Sequence, residues 1–264
     1  LSTKNVIYYL SITFIFLSFS WLKLRSNRKT IAWPKLAINY ITILTVGVAV
    51  IYFASKPGWI GYFDMTQDLS NTVSENVQET LKKMDDGPLE ITTYINLLDL
   101  TYWRLRPTEQ NKDKRMWESY QRFKPNISFK YVYYYDSSFD KRVYRNNPGK
   151  TLDEIAERNA RAYNIRLDRF KKPDEIRKEI NLFPENNRLV RLLTYKQRST
   201  FLRTFNDNIF WPLEEEIGAA LRRLTSSKVP NIAFLEGEEE RAINKAGDRH
   251  YELATKAPNV RASL

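Results

Sequence analysis

Two long apolar runs near the start of the chain constrain its fold more than any other feature. Asn5–Leu22 has 18 residues and Leu36–Ser55 has 20, and neither run contains a charged side chain. Because a helix rises about 1.5 Å per residue and the hydrocarbon core of a bilayer is roughly 30 Å thick, each run is long enough to cross it. The sequence therefore predicts a transmembrane helical hairpin in residues 1–56, with helices at about 5–24 and 36–55.

The segment between the two runs, residues 23–35, indicates how this hairpin is oriented. It contains five basic residues and no acidic one: Lys23, Arg25, Arg28, Lys29 and Lys35. Lys and Arg next to transmembrane helices stay on the cytoplasmic side of the membrane. We therefore expect the basic loop in the cytoplasm, and both ends of the chain outside.

The apolar runs have two other interpretations. The first run could be a cleaved signal peptide, but Lys23-Leu24-Arg25 stands where a cleavage site needs small residues. Either run could be a buried core helix, although two uncharged runs separated only by positive charge are not typical of one. The hairpin is the interpretation that we favour.

Charge and composition exclude several classes of protein. The net charge is +11, but residues 1–56 hold seven basic residues and no acid, which leaves 35 basic against 31 acidic residues in the rest. Such an interspersed balance is an ordinary solvated surface, so no nucleic-acid partner is expected. The chain has no cysteine and one histidine, His250, which excludes disulfides, thiolate zinc sites and thiol redox chemistry. We expect no cofactor and no metal.

Residues 57–226 have the patterns of an extracytoplasmic α/β domain. Two segments carry the Ser/Thr-x-x-Glu spacing of a capping box, Thr72 with Glu75 and Thr151 with Glu154. The predicted elements are, in order, helix Ser70–Met84, strand Leu89–Ile95, helix within Thr108–Lys124, strand Ile127–Tyr135, helix Thr151–Tyr163, a short helix from Pro173, strands Arg188–Thr194 and Ser199–Phe205, and helix Pro212–Leu224.

From Leu89 to Leu224 this order is β-α-β-α-β-β-α. One compact solution is a central sheet with helices on both faces, the thioredoxin-like arrangement, here as architecture only because the redox cysteine pair is absent. A ferredoxin-like or another α/β layout fits the same order. Val229–Leu235 predicts a short buried strand that opens a second α/β domain, residues 227–264, which the sequence leaves incomplete.

An acidic loop after this last strand is a candidate ligand or partner site. It contains Glu236, Gly237, Glu238, Glu240 and Arg241. Ligands gather at the carboxyl ends of strands in open α/β sheets, and clustered carboxylates can hold a cation, but a solvated turn into a helix explains the loop equally well. The chain lacks GxGxxG, Walker A, GxSxG and HExxH motifs. We therefore expect no enzyme.

Three segments in a consistent order resemble a known envelope family: Tyr62–Ile95, Asn208–Leu224 and Asn231–Arg241. They are similar to the gliding-motility-type ABC-transporter auxiliary proteins. In the third segment Glu238 and Glu239 replace a His-Gly pair that the family typically has. The first apolar run, ending in residues 24–28, also looks like the last helix of an ABC-2-type permease, to which the auxiliary protein is fused in some members. The resemblance implies that both ends of this chain are cut.

The resemblance implies a function as well. It is that of a non-catalytic accessory component of an ABC-type exporter in the bacterial cytoplasmic membrane, working with a permease and a separate cytoplasmic ATPase. Its domain on the periplasmic side would bind cargo or an envelope partner. Two alternatives remain open: a membrane-anchored sensor or ligand-binding module, with Tyr131–Tyr135 lining a binding face, and a hydrolase with a site at Glu236–Glu240.

Overall fold

The structure is a computed structural model. It describes residues 2–29, 31–56, 59–66, 72–84, 87–205, 209, 211–226, 231, 233–235, 242–243 and 251. The chain divides into two compact units, Leu1–Val73 and Ser74–Leu264. The predicted second α/β domain at 227–264 lies almost entirely outside the described residues.

The first unit contains the two apolar helices that the sequence predicts. They are α1, Thr3–Arg28, and α2, Trp33–Ala54, and each could span a membrane by its length and composition. Only 11% of the most apolar window of α1 and 6% of that of α2 are buried within the structure. These helices are therefore not core helices of the described part of the chain.

The connection between α1 and α2 is shorter than the predicted loop of residues 23–35. Since α1 continues to Arg28, Lys23 and Arg25 belong to its final turns, and Lys35 belongs to the first turn of α2. Cations at a helix C-terminus interact favourably with the helix dipole, which explains why the basic residues prolong α1. Pro34 suits the first turn of α2, where its missing N–H costs no hydrogen bond.

The two helices pack closely against each other. A Cβ atom at Gly47 would collide with the Ile15 side chain, and the rings of Phe19 and Tyr40 meet edge to face with centroids 5.0 Å apart. After α2 the chain returns to the start of α1. There the Thr3 N–H donates to the Gly61 carbonyl at 2.8 Å, and the Gly61 N–H donates to Thr3 Oγ1 at 2.8 Å. These two hydrogen bonds join the start of α1 to the segment after α2, at the end of the hairpin opposite the basic connection.

The second unit is built on a four-stranded mixed sheet. Its strands are β1, Leu89–Asn96, β2, Ile127–Tyr134, β3, Val190–Tyr195, and β4, Arg198–Leu202. The spatial order is β2-β1-β3-β4, in which β1 and β2 are parallel and the other two pairs are antiparallel. The prediction of a mixed α/β domain is confirmed.

Seven helices are described in this unit. They are α3, Glu75–Lys83, α4, Gln110–Met116, α5, Glu118–Gln121, α6, Lys141–Arg145, α7, Leu152–Ala162, α8, Pro173–Glu179, and α9, Glu214–Thr225. Short 3-10 turns lie at Tyr102–Arg104, Pro107–Glu109, Leu167–Arg169 and Phe183–Glu185. The helix predicted within Thr108–Lys124 is interrupted at Trp117, whose fully buried ring lies 5.4 Å from that of Tyr120 and 5.2 Å from that of Trp211.

Helices lie on both faces of the sheet. On one face α9 packs on β3 and β4 and against α3. Gly218 permits this approach, since a Cβ there would lie 3.0 Å from Val77 Cγ2. On the other face Ile176 of α8 forms a buried cluster with Tyr94, Tyr134 and other strand side chains. Alternate residues of each strand therefore enter two separate apolar layers.

One predicted capping box is confirmed and the other is wrong. The Thr151 N–H donates to Glu154 Oε2 at 2.7 Å and the Glu154 N–H donates to Thr151 Oγ1 at 3.3 Å, so α7 begins as predicted. α3 begins instead at Glu75, after Ser74, and the Ser74 N–H donates to Glu214 Oε1 at 2.6 Å. A carboxylate on a distant helix has replaced the predicted local cap.

Candidate binding site

The predicted acidic loop stays a prediction. Glu236, Gly237, Glu238, Glu240 and Arg241 all lie outside the described residues. The predicted strand just before it, residues 229–235, has four described residues, and none of these four is in a strand. Within the described part of the chain, no three His, Asp or Glu side chains are grouped so as to hold a metal ion.

The carboxyl ends of the parallel strands β1 and β2 form a buried polar network. Asn96 Nδ2 donates to the carbonyl oxygens of Asp136 and Asn187 at 3.1 and 3.0 Å. Asn96 Oδ1 accepts from the N–H groups of Leu98 and Asp136 at 3.0 and 3.2 Å. Asn187 Nδ2 donates to the Ser137 carbonyl at 3.0 Å. The edge where an α/β sheet usually binds ligands is closed here by its own hydrogen bonds.

Asp136 completes this network through an ion pair with Arg177 of α8. Its Oδ2 accepts from Arg177 Nε at 2.8 Å and its Oδ1 accepts from Arg177 Nη2. Oδ1 also accepts from the Ser137 N–H at 2.6 Å. The Asp136 side chain is 2% exposed and that of Arg177 is 56% exposed. The hydrogen bond to Asp136 raises the pKa of Arg177 above its usual value.

A second ion pair is buried on the other side of the sheet. Arg191, in β3, is 1% exposed, and its Nη2 donates to Asp113 Oδ1 at 2.7 Å. Asp113, in α4, also accepts from the Tyr131 hydroxyl at 2.8 Å. The Arg191 guanidinium carbon lies 4.9 Å from the ring centre of Trp211. Burial, and then the charge of Asp113, raise the pKa of Tyr131.

The Arg191 guanidinium is only partly hydrogen-bonded. Its Nε and Nη1 atoms are buried and have no acceptor within the described part of the chain, and neither has Nε1 of Trp117. The Trp117 ring lies 5.2 Å from that of Trp211, so Trp117 and Arg191 both lie next to the same indole. A buried donor without a partner costs free energy, which a ligand atom that accepts a hydrogen bond from it would recover.

A cavity of about 160 Å³ opens beside Arg191. Its walls combine three kinds of side chain: the apolar Leu105, Met116 and Leu189, the Arg191–Asp113 pair with Trp211, and the charged Arg104, Glu109 and Lys112. Three of the lining side chains are cationic and two are acidic, which leaves one positive charge in excess. We call this space, lined by these nine residues, the Arg191 cavity.

The sequence contains one signal for this cavity that we missed. Leu189, Arg191 and Leu193 alternate through the predicted strand Arg188–Thr194, and all three are buried. An arginine at an inward position of a strand needs a buried partner. That partner, Asp113, lies 78 residues earlier in the chain, and no local pattern connects them.

The tyrosines that were considered as a binding face are packed inside the domain. Tyr133 donates its hydroxyl proton to the Leu105 carbonyl at 3.0 Å and accepts from Gln110 Nε2 at 2.9 Å. The Tyr135 hydroxyl donates to Asp153 at 2.8 Å, and Tyr134 is fully buried. These side chains stabilise the junction of the sheet and its helices.

A larger basic cleft lies where α3 and α9 end. It has a volume of about 950 Å³, and Lys83, Lys196, Arg198 and Arg222 line it. Lys83 and Arg222 stand in the last turns of their helices, and Arg198 donates to the Ser226 carbonyl at the end of α9. Because helix C-termini favour nearby cations, the fold itself accounts for this charge.

Comparison of the chain with protein-family models, with curated proteins and with solved structures gives no match.

Proposed function

We propose that this chain is a non-catalytic, membrane-anchored accessory component of an ABC-type export system, similar to the gliding-motility-type auxiliary proteins. The hairpin of α1 and α2 lies in the bacterial cytoplasmic membrane against permease helices. A separate cytoplasmic ATPase subunit supplies the energy. The α/β domain lies on the periplasmic side and binds cargo or an envelope partner.

The observation that carries this proposal is the character of the hairpin. Both helices are apolar, their outward surfaces are uncovered by the described chain, and Lys23, Arg25, Arg28, Lys29 and Lys35 cluster at one end without an acid. The opposite end carries only Lys4 and Lys56, and an excess of positive charge at one end gives a hairpin a preferred orientation in the membrane. The proposed location of the domain follows from that orientation.

The sheet topology supports a thioredoxin-like arrangement for the domain. A strand order of β2-β1-β3-β4, with β3 antiparallel to its neighbours and helices on both faces, agrees with that arrangement. With no cysteine in the chain, we propose that this scaffold serves for binding rather than for redox chemistry.

The first experiment is a topology measurement in intact cells. Because the chain has no cysteine, each variant has a single labelling position. We expect Lys150→Cys, exposed before α7, to react with a membrane-impermeant maleimide, and Asn27→Cys, exposed near the end of α1, to react only after permeabilisation. Labelling of Asn27→Cys alone would place the domain in the cytoplasm and contradict the proposal.

A second experiment tests the transport role itself. A photo-cross-linking residue at the exposed positions Phe16 and Ile41, which are 66% and 64% exposed, is expected to capture a polytopic permease. The matched control is Ile15, which is 8% exposed and packs inside the hairpin. Adducts with lipid alone, together with a chain that purifies without an ATPase in mild detergent, would contradict this role.

The Arg191 cavity favours one other function, a membrane-anchored ligand-binding module unrelated to transport. Its support is the incompletely bonded guanidinium that lines the cavity. In that case the topology result stays the same and the cross-linking experiment yields no permease.

A further inference from the structure

We infer that the Arg191 cavity binds a carboxylate group carried on a short apolar stem. This inference concerns the α/β domain alone, and it holds whether the hairpin associates with a transporter or not.

The first argument is the hydrogen-bonding capacity of Arg191. A guanidinium presents five N–H donors in a planar fork, and the described contacts of Arg191 are one hydrogen bond to Asp113 and the stacking on Trp211. The buried Nε and Nη1 have no acceptor within the described residues. A carboxylate supplies two oxygens in the geometry that a guanidinium fork matches.

The second argument is that both acidic residues of the cavity lining already have partners. Asp113 receives one donor on each oxygen, Arg191 on Oδ1 and Tyr131 on Oδ2. Glu109 pairs with Arg106 at 3.6 Å. Both acids of the lining are therefore occupied, and neither offers an acceptor to the buried Nε and Nη1 of Arg191.

The third argument is the size and the lining of the cavity. A volume of about 160 Å³ admits only a few heavy atoms. Leu105, Met116 and Leu189 offer an apolar wall, and the Trp211 ring offers a flat one. Such a space suits a short alkyl stem behind a carboxylate, and it is too small for a bulky ligand.

The carboxylate can come from two sources. One is a small free carboxylic acid, and the other is the C-terminal carboxylate of a partner chain that ends in an apolar residue. Both present the same group to Arg191, so the experiment needs a probe for each.

The test uses the full chain in detergent micelles and titration calorimetry with butyrate. The control ligand is butyramide, which has nearly the same shape and no charge. We expect butyrate to bind at least tenfold more tightly than butyramide. Equal binding of the two ligands, or no binding of either, would overturn the inference for a small acid.

Two variants locate the binding. Arg191→Met removes the guanidinium but leaves the Asp113 carboxylate buried without a counter-charge. Loss of binding in this variant therefore has to be distinguished from unfolding, by circular dichroism of the same sample. Met116 lines the cavity and is 46% exposed, so Met116→Trp fills the cavity and leaves the Arg191–Asp113 pair intact. We expect it to abolish butyrate binding, whereas Met65→Trp, at a 79%-exposed position in the first compact unit, preserves it. Unchanged binding in Met116→Trp would overturn the assignment of the site.

The second probe is a pair of short peptides ending in leucine, one with a free C-terminal carboxylate and one with an amide. Tight binding of the free acid alone, blocked in Met116→Trp, assigns the site to a partner chain. Binding of butyrate but not of the peptide assigns it to a small acid. If butyrate and the peptide both fail to bind, the inference is wrong, and the outcome of the permease cross-linking experiment is unaffected.

Discussion

The domain contains two ion pairs that differ in where their charges lie. In the Asp136–Arg177 pair the carboxylate is buried, but the guanidinium is 56% exposed and makes a two-point contact. In the Asp113–Arg191 pair both side chains are buried, at 4% and 1% exposure, and they share one hydrogen bond. Water solvates the first arginine, whereas the second depends entirely on protein partners.

The Asp136–Arg177 pair is accordingly a structural one, whereas the Asp113–Arg191 pair has hydrogen-bond donors that are not used. Asp136 also accepts from the Ser137 backbone, so its buried charge does not rest on Arg177 alone. Arg191 has no such second acceptor in the described chain and still lies beside a cavity. The domain therefore retains a desolvated cation whose cost the fold does not fully offset.

The largest effect is expected when the fully buried pair is broken from one side. Asp113→Asn leaves Arg191 buried without a counter-charge and should lower the free energy of unfolding by about 3–5 kcal/mol. Urea denaturation in micelles, followed by near-ultraviolet circular dichroism, measures it. The double variant Asp113→Leu with Arg191→Met removes both charges and should cost far less. A loss below about 1 kcal/mol for Asp113→Asn would show that water already reaches Arg191.

Breaking the half-exposed pair should have a smaller effect. Arg177→Met removes the two-point contact, but Asp136 keeps the Ser137 N–H, so we expect a loss of about 1–2 kcal/mol. The matched control is Arg142→Met, which removes the arginine of the exposed pair with Asp140 and should cost less than about 1 kcal/mol. Equal losses for Arg177→Met and Asp113→Asn would remove the distinction between the two pairs.

Local patterns in the sequence predicted the elements better than their contacts. The alternation of Leu89–Ile95 and the spacing of Thr151 and Glu154 predicted β1 and the start of α7, because both depend on neighbouring residues. The Thr72–Glu75 box failed because the Thr72 hydroxyl donates to Asp64, and because Glu214 binds the Ser74 N–H. A long-range partner overrode the local signal.

The candidate site was hidden for the same reason. Arg191 and Asp113 lie in different predicted elements, and Trp211 lies just before a third, so their meeting depends on how the sheet and helices pack. The sequence could indicate only that an inward arginine needs a partner. It carries no information about the cavity of about 160 Å³, which arises from the packing of side chains from several elements.

Two tyrosines on the same side of the sheet as the Asp113–Arg191 pair should make the stability of the domain depend on pH. Burial raises the pKa of Tyr133 to about 12, and burial with the charge of Asp113 raises that of Tyr131. Both stay protonated in the folded state while the unfolded chain ionises near pH 10, so their contribution is complete below pH 10 and is lost as the pH rises above it.

We expect the free energy of unfolding to fall by no more than about 1 kcal/mol per pH unit for each of these tyrosines, because partial exposure screens the effect. Tyr131→Phe should remove the contribution of one tyrosine to this pH dependence. It should also remove one of the hydrogen-bond donors to Asp113. Tyrosinate absorbance during an alkaline titration gives the ionisation directly. Ionisation of both residues near pH 10 in the folded chain would contradict their burial.

The smallest effect is expected from salt. At 1 M ionic strength the Debye length is roughly 3 Å, which screens the exposed Arg177 guanidinium but not the buried Arg191. The cost of Arg177→Met should therefore decrease by a few tenths of a kcal/mol in high salt, and the cost of Asp113→Asn should stay constant. Denaturation curves of both variants at two salt concentrations are sufficient to check it.

The contact between Ser74 and Glu214 has a consequence for the timing of synthesis. The two residues are separated by 140 positions, so the first helix of the domain stays uncapped until its partner helix has left the ribosome. At 5–20 residues per second this interval lasts roughly seven to thirty seconds. The α1–α2 hairpin is synthesised first, and during that interval the nascent domain exposes the apolar face of α3. A chaperone would have its longest opportunity to bind there.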